Sequence, residues 1–473
     1  MTVVSRFRQS TRPLLVVASI VSCLSIPRQA TAQTFTTLFD LGNAATEFGS
    51  GPTSTMVQTS PGVFYGTATY GGANDCGVLF RITSAGLYTK LYDFPADGPC
   101  GPQGPLVQSS DGMLYGVTAS VLYYPGKATL FRSDLNGNVS YVANFPSDNG
   151  YAYVPFSVTA ATDGSLYVSL AKEFGCSGGF YCLSGYVFFH YALDGTLTPV
   201  SSPNFDGTPL TTTIDGSIYA VGDIENSSMA LFKVADNTLR PAADLTALYG
   251  GGLPTSLGQG SDGKIYLVQA DQIVSFSSDG SGISVVAAVG NTGTSDCSVP
   301  DTGLTLASDG ALYGGCQGKN TLTDVFRINP SGAFENLHSA NNLLNESEDQ
   351  ASLGPFAAQG ADGLLYAEIR TSQPSSSQDG ILYTLDLGIP KPAPVPSALT
   401  PGTGAVGASV TIFGAHFLGT NSVTFYGGVP APFTVESDSF LTVTVPSGAV
   451  TGPITISNSN GSTTSRRQFV VTQ

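Results

Sequence analysis

Asp111-Gly112-Met113-Leu114-Tyr115 is one of seven copies of a short element spread along a chain of 473 residues. The others are Pro61-Gly62-Val63-Phe64-Tyr65, Asp163-Gly164-Ser165-Leu166-Tyr167, Asp215-Gly216-Ser217-Ile218-Tyr219, Asp262-Gly263-Lys264-Ile265-Tyr266, Asp309-Gly310-Ala311-Leu312-Tyr313 and Asp362-Gly363-Leu364-Leu365-Tyr366. Their tyrosines lie 50, 52, 52, 47, 47 and 53 residues apart. A near-constant period of this size marks a repeat architecture, in which each unit buries its apolar surface against its neighbours.

Working outward from residue 111, apolar alternation predicts strands over 104–109, 113–119, 128–134 and 138–145. The first two are joined at Asp111-Gly112 and the last two at Asn136-Gly137. Such dipeptides suit two-residue hairpins, whose central positions both need positive φ. The third strand recurs as Leu79-Phe80-Arg81-Ile82, Leu130-Phe131-Arg132, Leu231-Phe232-Lys233-Val234 and Val325-Phe326-Arg327-Ile328. Its basic residues are expected to pair across strands. Four antiparallel strands every ~50 residues make a propeller blade. The expected fold is all-β, with a seven-bladed β-propeller over residues 33–387. The last blade lacks a fourth strand, and residues 35–41 are expected to supply it and close the ring. A proline-rich linker over 388–396 then leads to short strands at 8–12-residue spacing, an immunoglobulin-like β-sandwich over 397–473.

Composition fits this picture. The chain has 57 Gly and 29 Pro but only 11% charged residues. Arg6, Arg8 and Arg12, an apolar run over 14–26 and Ala30-Thr31-Ala32 predict a signal peptide over 1–32, cleaved after Ala32. A lipoprotein box ending at Cys23 fits less well, because the apolar run continues past it. Cleavage removes four of the 18 basic residues and none of the 34 acidic ones, so the mature net charge is −20. Such a chain repels phosphate backbones, which argues against nucleic-acid binding. No transmembrane segment is expected in the mature chain. The expected location is secreted or at the cell surface.

Besides Cys23 there are six cysteines: Cys76, Cys100, Cys176, Cys182, Cys297 and Cys316. An even number in an exported chain points to disulfides, and proximity favours the pairs 76–100, 176–182 and 297–316. In an up-and-down sheet all six fall opposite the tight turns, together with long loops over 70–77, 120–127, 172–185 and 371–379. Binding residues concentrate on loops held by a rigid scaffold. The ligand-binding candidates there are Tyr70, Asn74, Asp75, Tyr123, Tyr124, Lys172 and Glu173. The repeated Asp residues sit one per unit, so turn chemistry explains them better than a calcium site does. His190, His338 and His416 are too scattered for a zinc site or a Ser-His-Asp constellation. No catalytic residue, metal or cofactor is expected.

Tyr65-Gly-Thr-Ala-Thr-Tyr-Gly-Gly72, Gly77-Val-Leu-Phe-Arg-Ile-Thr83 and Leu91-Tyr-Asp-Phe94 resemble the GloVer tandem repeat of exported bacterial proteins with varied C-terminal anchors. The resemblance spans roughly 35–387 and implies export and a surface setting, with no activity attached. The C-terminal region is similar to an IPT/TIG domain at Leu399-Thr-Pro-Gly402, residues 407–417, Val423-Thr-Phe425 and Val443-Thr-Val-Pro446. The function expected is non-catalytic binding of an extracellular glycan or protein, or a structural role at the cell surface. The alternative is a propeller hydrolase or lyase acting on polysaccharide.

Overall fold

The computed structural model describes residues 34–472 except 42–46, 53–54, 119–126, 147–150, 162, 176–180, 202–204, 208–209, 214–215, 225–227, 249–253, 270–271, 289–296, 301–302, 319–323, 340–350, 354–357 and 372–379. Strands dominate the described residues, and one helical turn appears among them, at Thr246–Leu248.

Seven antiparallel sheets occupy residues 34–386. The second is the plainest, with Pro102–Gln108, Leu114–Thr118, Thr129–Ser133 and Val139–Asn144 side by side in chain order. The seventh departs from chain order. Its Leu365–Thr371 and Gly380–Asp386 are neighbours, and the place outside Gly380–Asp386 is taken by Thr34–Asp40. Phe35 packs on Tyr383 with ring centroids 5.7 Å apart, while Phe39 stacks on Tyr88 of the first sheet at 4.3 Å. This strand therefore covers the seventh sheet's edge and touches the first.

Apolar residues of the second and third strands are buried between sheets. Tyr115, Val117 and Leu130 pack with Leu166, Val168 and Phe189, and Tyr219, Val221 and Leu231 with Leu257, Ile265 and Val274. Phe64 and Phe80 of the first sheet share a cluster with Tyr366 and Leu382 of the seventh. Successive antiparallel sheets of four or five strands packed face to face, with the last against the first, are β-propeller-like.

The repeat's Tyr-Gly and Phe-Arg pairs explain one another. Tyr65 lies opposite Arg81 and Gly66 opposite Phe80; Tyr115 and Gly116 face Arg132 and Phe131; Tyr313 and Gly314 face Arg327 and Phe326. A Cβ at Gly66, Gly116 or Gly314 would come within 2.5, 2.6 or 2.4 Å of that phenylalanine's Cζ. Glycine here makes room for the ring across the strand.

Two further sheets follow. One orders Val395–Thr400, Ser409–Ala415, Phe440–Thr444 and Phe433–Val435; the other orders Thr403–Gly404, Gly461–Val471, Gly452–Asn458, Ser422–Phe425 and Val429–Pro430. Val410, Ile412, Leu441, Phe425, Ile454 and Phe469 fill the space between them. Val395–Thr400 starts inside the proline-rich segment expected as a linker, and Pro392, Pro394 and Pro396 are buried. The alternating prolines give that segment one apolar face, which packs instead of spanning solvent.

Candidate functional site

At one end of the sheets the repeated Asp does two things. Asp111 Oδ1 accepts the Met113 amide at 3.0 Å, fixing the turn, and its Oδ2 accepts the Tyr115 hydroxyl at 2.7 Å. The same tyrosine-to-carboxylate bond joins Tyr266 to Asp262 at 3.2 Å, Tyr313 to Asp309 at 2.8 Å and Tyr366 to Asp362 at 2.6 Å. Where the partner differs, the tyrosine reaches the next sheet: Tyr65 donates to Leu135 O at 2.9 Å and Tyr167 to Asn237 Oδ1 at 2.9 Å. Asp215 lies outside the described residues. Burial first, then the neighbouring carboxylate, raises Tyr115, Tyr266, Tyr313 and Tyr366; Tyr266 is pushed up to about 12. At neutral pH they are hydrogen-bond donors, not acids.

The turns themselves correct an expectation. Gly112 has φ 77° while Asp111 is not among the residues with positive φ, and Gly112 N donates to Ser109 O at 2.9 Å. The same bond closes the turns at Gly164, Gly263, Gly310 and Gly363. These are three-residue turns with one glycine in the left-handed region, because the Asx bond holds Asp in a right-handed conformation. A two-residue turn with both positions positive occurs at Asp236-Asn237, φ 51° and 53°.

A recurrent glutamine and one buried glutamate lie outside the sequence expectations. Gln108, Gln259 and Gln359, each three residues before the Asp, donate Nε2 to the carbonyl of the turn glycine at 3.0, 3.0 and 3.2 Å. Their fixed offset from Asp-Gly was the available signal. Glu368 is a carboxylate only 1% exposed, whose charge adds to burial in raising Tyr383. An acid inside the apolar run Leu364-Leu365-Tyr366-Ala367-Glu368-Ile369 was its signal.

The basic third-strand residues sit beside the tyrosines. Arg327 also bridges to Glu335 at 2.6 Å, and the Lys233 ammonium lies 5.4 Å from the Tyr219 ring centroid. These charges serve cross-strand pairs.

At the opposite end, residues 70–77 form a tightly braced loop. Gly71 N donates to Asp75 Oδ1 at 3.0 Å, Ala73 N to Asp93 Oδ1 at 2.8 Å, and Asn74 Nδ2 to Phe94 O at 2.9 Å. Lys90 holds the other oxygen of Asp93 at 3.0 Å. The buried disulfide Cys76–Cys100, with Cα atoms 4.9 Å apart, ties the loop to the connection into the second sheet. At Gly77, φ 90°, a Cβ would fall 2.3 Å from Ala68 O, so only glycine fits. Ala73, Asn74 and Asp75 form the exposed tip. The bracing bonds use Asp75 Oδ1 and Asn74 Nδ2, so they do not engage Asp75 Oδ2 or Asn74 Oδ1 of the exposed tip.

The other candidates separate from this group. Tyr70 is half-buried at the end of Val63–Tyr70. Lys172 and Glu173, expected in a loop, lie in the strand Leu166–Gly175, opposite Tyr153 and Ala152. That strand and Tyr181–Tyr191 continue the hairpin through most of the expected loop, Phe174 facing Cys182. Tyr123, Tyr124 and Cys176 lie outside the described residues, as do the side chains of Glu173, Cys182 and Cys297. Cys316 is disulfide-bonded. His416 Nδ1 is 3.7 Å from Asp438 Oδ2, and Asp438 also accepts the His416 and Leu418 amides at 3.2 and 3.3 Å. A recess on the turn side, lined by Asp262, Asn329 and Pro330, is too tight to hold a water molecule.

Residues 26–182 match the Gloeobacter/Verrucomicrobia repeat, a shorter span than the sequence resemblance suggested. None of the curated protein sequences matches the chain. Among solved structures, a protein of unknown function from Dyadobacter fermentans is similar at 10% identity and TM-score 0.42, covering 59% of this chain and 93% of that one. A gluconolactonase from Xanthomonas campestris is similar at 16% identity and TM-score 0.33, covering 58% and 89%. Among the described residues no helix is long and apolar enough to cross a membrane.

Proposed function

We propose that the seven sheets are the blades of a seven-bladed propeller closed by Thr34–Asp40, and that the two C-terminal sheets are an immunoglobulin-like domain of the IPT/TIG kind. The chain is exported, loses its leader after Ala32, and works as a non-catalytic binding or cell-surface structural protein through the face that carries residues 70–77. Cys176–Cys182 and Cys297–Cys316 are its remaining disulfides; mass mapping of the intact protein tests them, and a cross-sheet pair would overturn this pairing.

One observation carries the reading. The recurring Asp and Tyr side chains are bonded to one another or to neighbouring turns, whereas the 73–75 tip stands exposed on a loop braced by a disulfide. A site held rigid before contact loses less entropy on binding. A glycan and protein binding array, run beside a polysaccharide turnover assay, tests it. Binding should be lost with Asn74→Ala/Asp75→Ala and kept with Asp262→Asn. Turnover that exceeds a heat-killed control and disappears when loop-face acids are replaced would sink the binding-only reading.

A further inference from the structure

The segment that leaves the seventh sheet is held from two sides. Leu387 and Ile389 pack against the cluster between the sixth and seventh sheets. The Pro390 carbonyl accepts a hydrogen bond from Ser308 Oγ, in the turn of the sixth sheet, and another from Gln359 Nε2 at 3.0 Å. Gln359 is 1% exposed, and its Oε1 accepts the Ser308 amide at 2.8 Å. One side chain thus joins the sixth sheet, the seventh and the departing chain. Two residues on, Pro392 O accepts Asn458 Nδ2 at 3.0 Å and Asn460 Nδ2 at 3.2 Å, and a Cβ on Gly461 would lie 3.1 Å from that of Ala393. Gln108 and Gln259 occupy the same repeat position, and each donates to its own hairpin. The seventh sheet adds a second task to a repeat residue.

We propose that residues 387–393 are a strap that holds the C-terminal two-sheet module in one fixed orientation at the turn end of the sixth and seventh sheets, with Gln359 and Ser308 as its clasp. This inference does not depend on the binding function. A proline-rich connection alone is stiff along its length but swivels at its ends, and modules joined that way move relative to each other. Bonds to the Pro390 carbonyl from the propeller side and to the Pro392 carbonyl from the module side remove both swivels. The strap also starts directly from Gly380–Asp386, the strand that pairs with Thr34–Asp40, so load on the module reaches the pairing that joins the first and last parts of the ring.

Spin labels at Leu87→Cys and Val450→Cys, positions 63% and 51% exposed, report the orientation by pulsed electron resonance on the full chain. The parent should give one narrow distance distribution. Ser308→Ala/Gln359→Leu should make it at least about twice as broad, as expected when a linker swivels. Gln108→Leu, which removes the corresponding hairpin bond in the second sheet, should leave it narrow. A broad distribution in the parent, or equal widths in the parent and the clasp variant, overturns the strap. If Gln359→Leu does not fold, Ser308→Ala combined with Asn458→Ala and Asn460→Ala carries the same test with the same outcomes.

Discussion

Tyr115 is 1% exposed, yet its hydroxyl reaches Asp111 in the turn, so burial of the ring leaves no polar group stranded. Removing the hydroxyl as Tyr115→Phe should cost about 1.5 kcal/mol, the range for a hydrogen bond to a charged acceptor. A double-mutant cycle with Asp111→Ala, followed by denaturant unfolding, should give a coupling near that value; additive losses would contradict the pair. Glycines divide by mechanism. Gly116→Ala drives a methyl against Phe131 and Leu106 side chains and should cost about 2 kcal/mol by overpacking. Gly195→Ala meets open space but sits at φ 92°, so its cost of about 1 kcal/mol is backbone strain alone. The tyrosines also set an alkaline limit. Their folded pKa values are raised, so the folded state keeps protons that the unfolded chain releases above about pH 10. Stability should fall as pH rises through Tyr266's value of about 12, read by unfolding beside ultraviolet phenolate titration. On the acid side, hydrogen bonds from Asn138, Thr196 and Ser281 lower Asp134, Asp194 and Asp279 respectively, so their contribution is present above the usual carboxylate range and is lost as pH falls below it.

The loop over 70–77 owes its shape to elements on three sides: its own Asp75, Asp93 at the end of the outer strand with Phe94 just after it, and Cys100 beyond them. Cross-linking residues 24 apart removes loop-closure entropy from the unfolded chain. Cys76→Ser/Cys100→Ser should therefore destabilise by about 3 kcal/mol, with faster amide exchange over residues 71–77 than over the strand Val78–Thr83. Equal exchange across both segments would show that the disulfide does not govern the loop. Strand positions around Asp111 were legible within one or two residues, because period-2 alternation and turn glycines are local signals. The turn class was not, since it depends on where an Asp oxygen points. Asn74 and Asp75 could be placed on an exposed loop from sequence. That their amide and carboxylate brace the loop could not, because Phe94 approaches only through the fold. Lys172 and Glu173 show the opposite error: polar residues in a continuing hairpin look like a loop when their partner strand is unknown.

At the scale of the whole molecule, the first and last strands of the seven sheets meet in one sheet. Thr37-Leu38-Phe39-Asp40 matches Lys90-Leu91-Tyr92-Asp93, and both stretches lie in outer strands of their sheets, so pairing preference was written in a repeat whose other copies lie far along the chain. The strap over 387–393 was invisible by contrast, because prolines signal a break in regular structure and say nothing of what their carbonyls accept. Deleting residues 34–40 tests how much the ring depends on its first strand. The deletion exposes the edge of Gly380–Asp386 and releases Phe35, Leu38 and Phe39, which are half-buried against the seventh and first sheets. Three partly buried apolar side chains are worth about 3 kcal/mol together. The unpaired edge adds a tendency to associate through strand addition. We expect the shortened protein to unfold at lower denaturant concentration and to self-associate. The synthetic peptide of residues 34–40, added in excess, should restore the midpoint in proportion to its occupancy, since a ligand bound only to the folded state stabilises it by mass action. An unchanged midpoint would mean that this strand decorates the ring without helping to hold it closed.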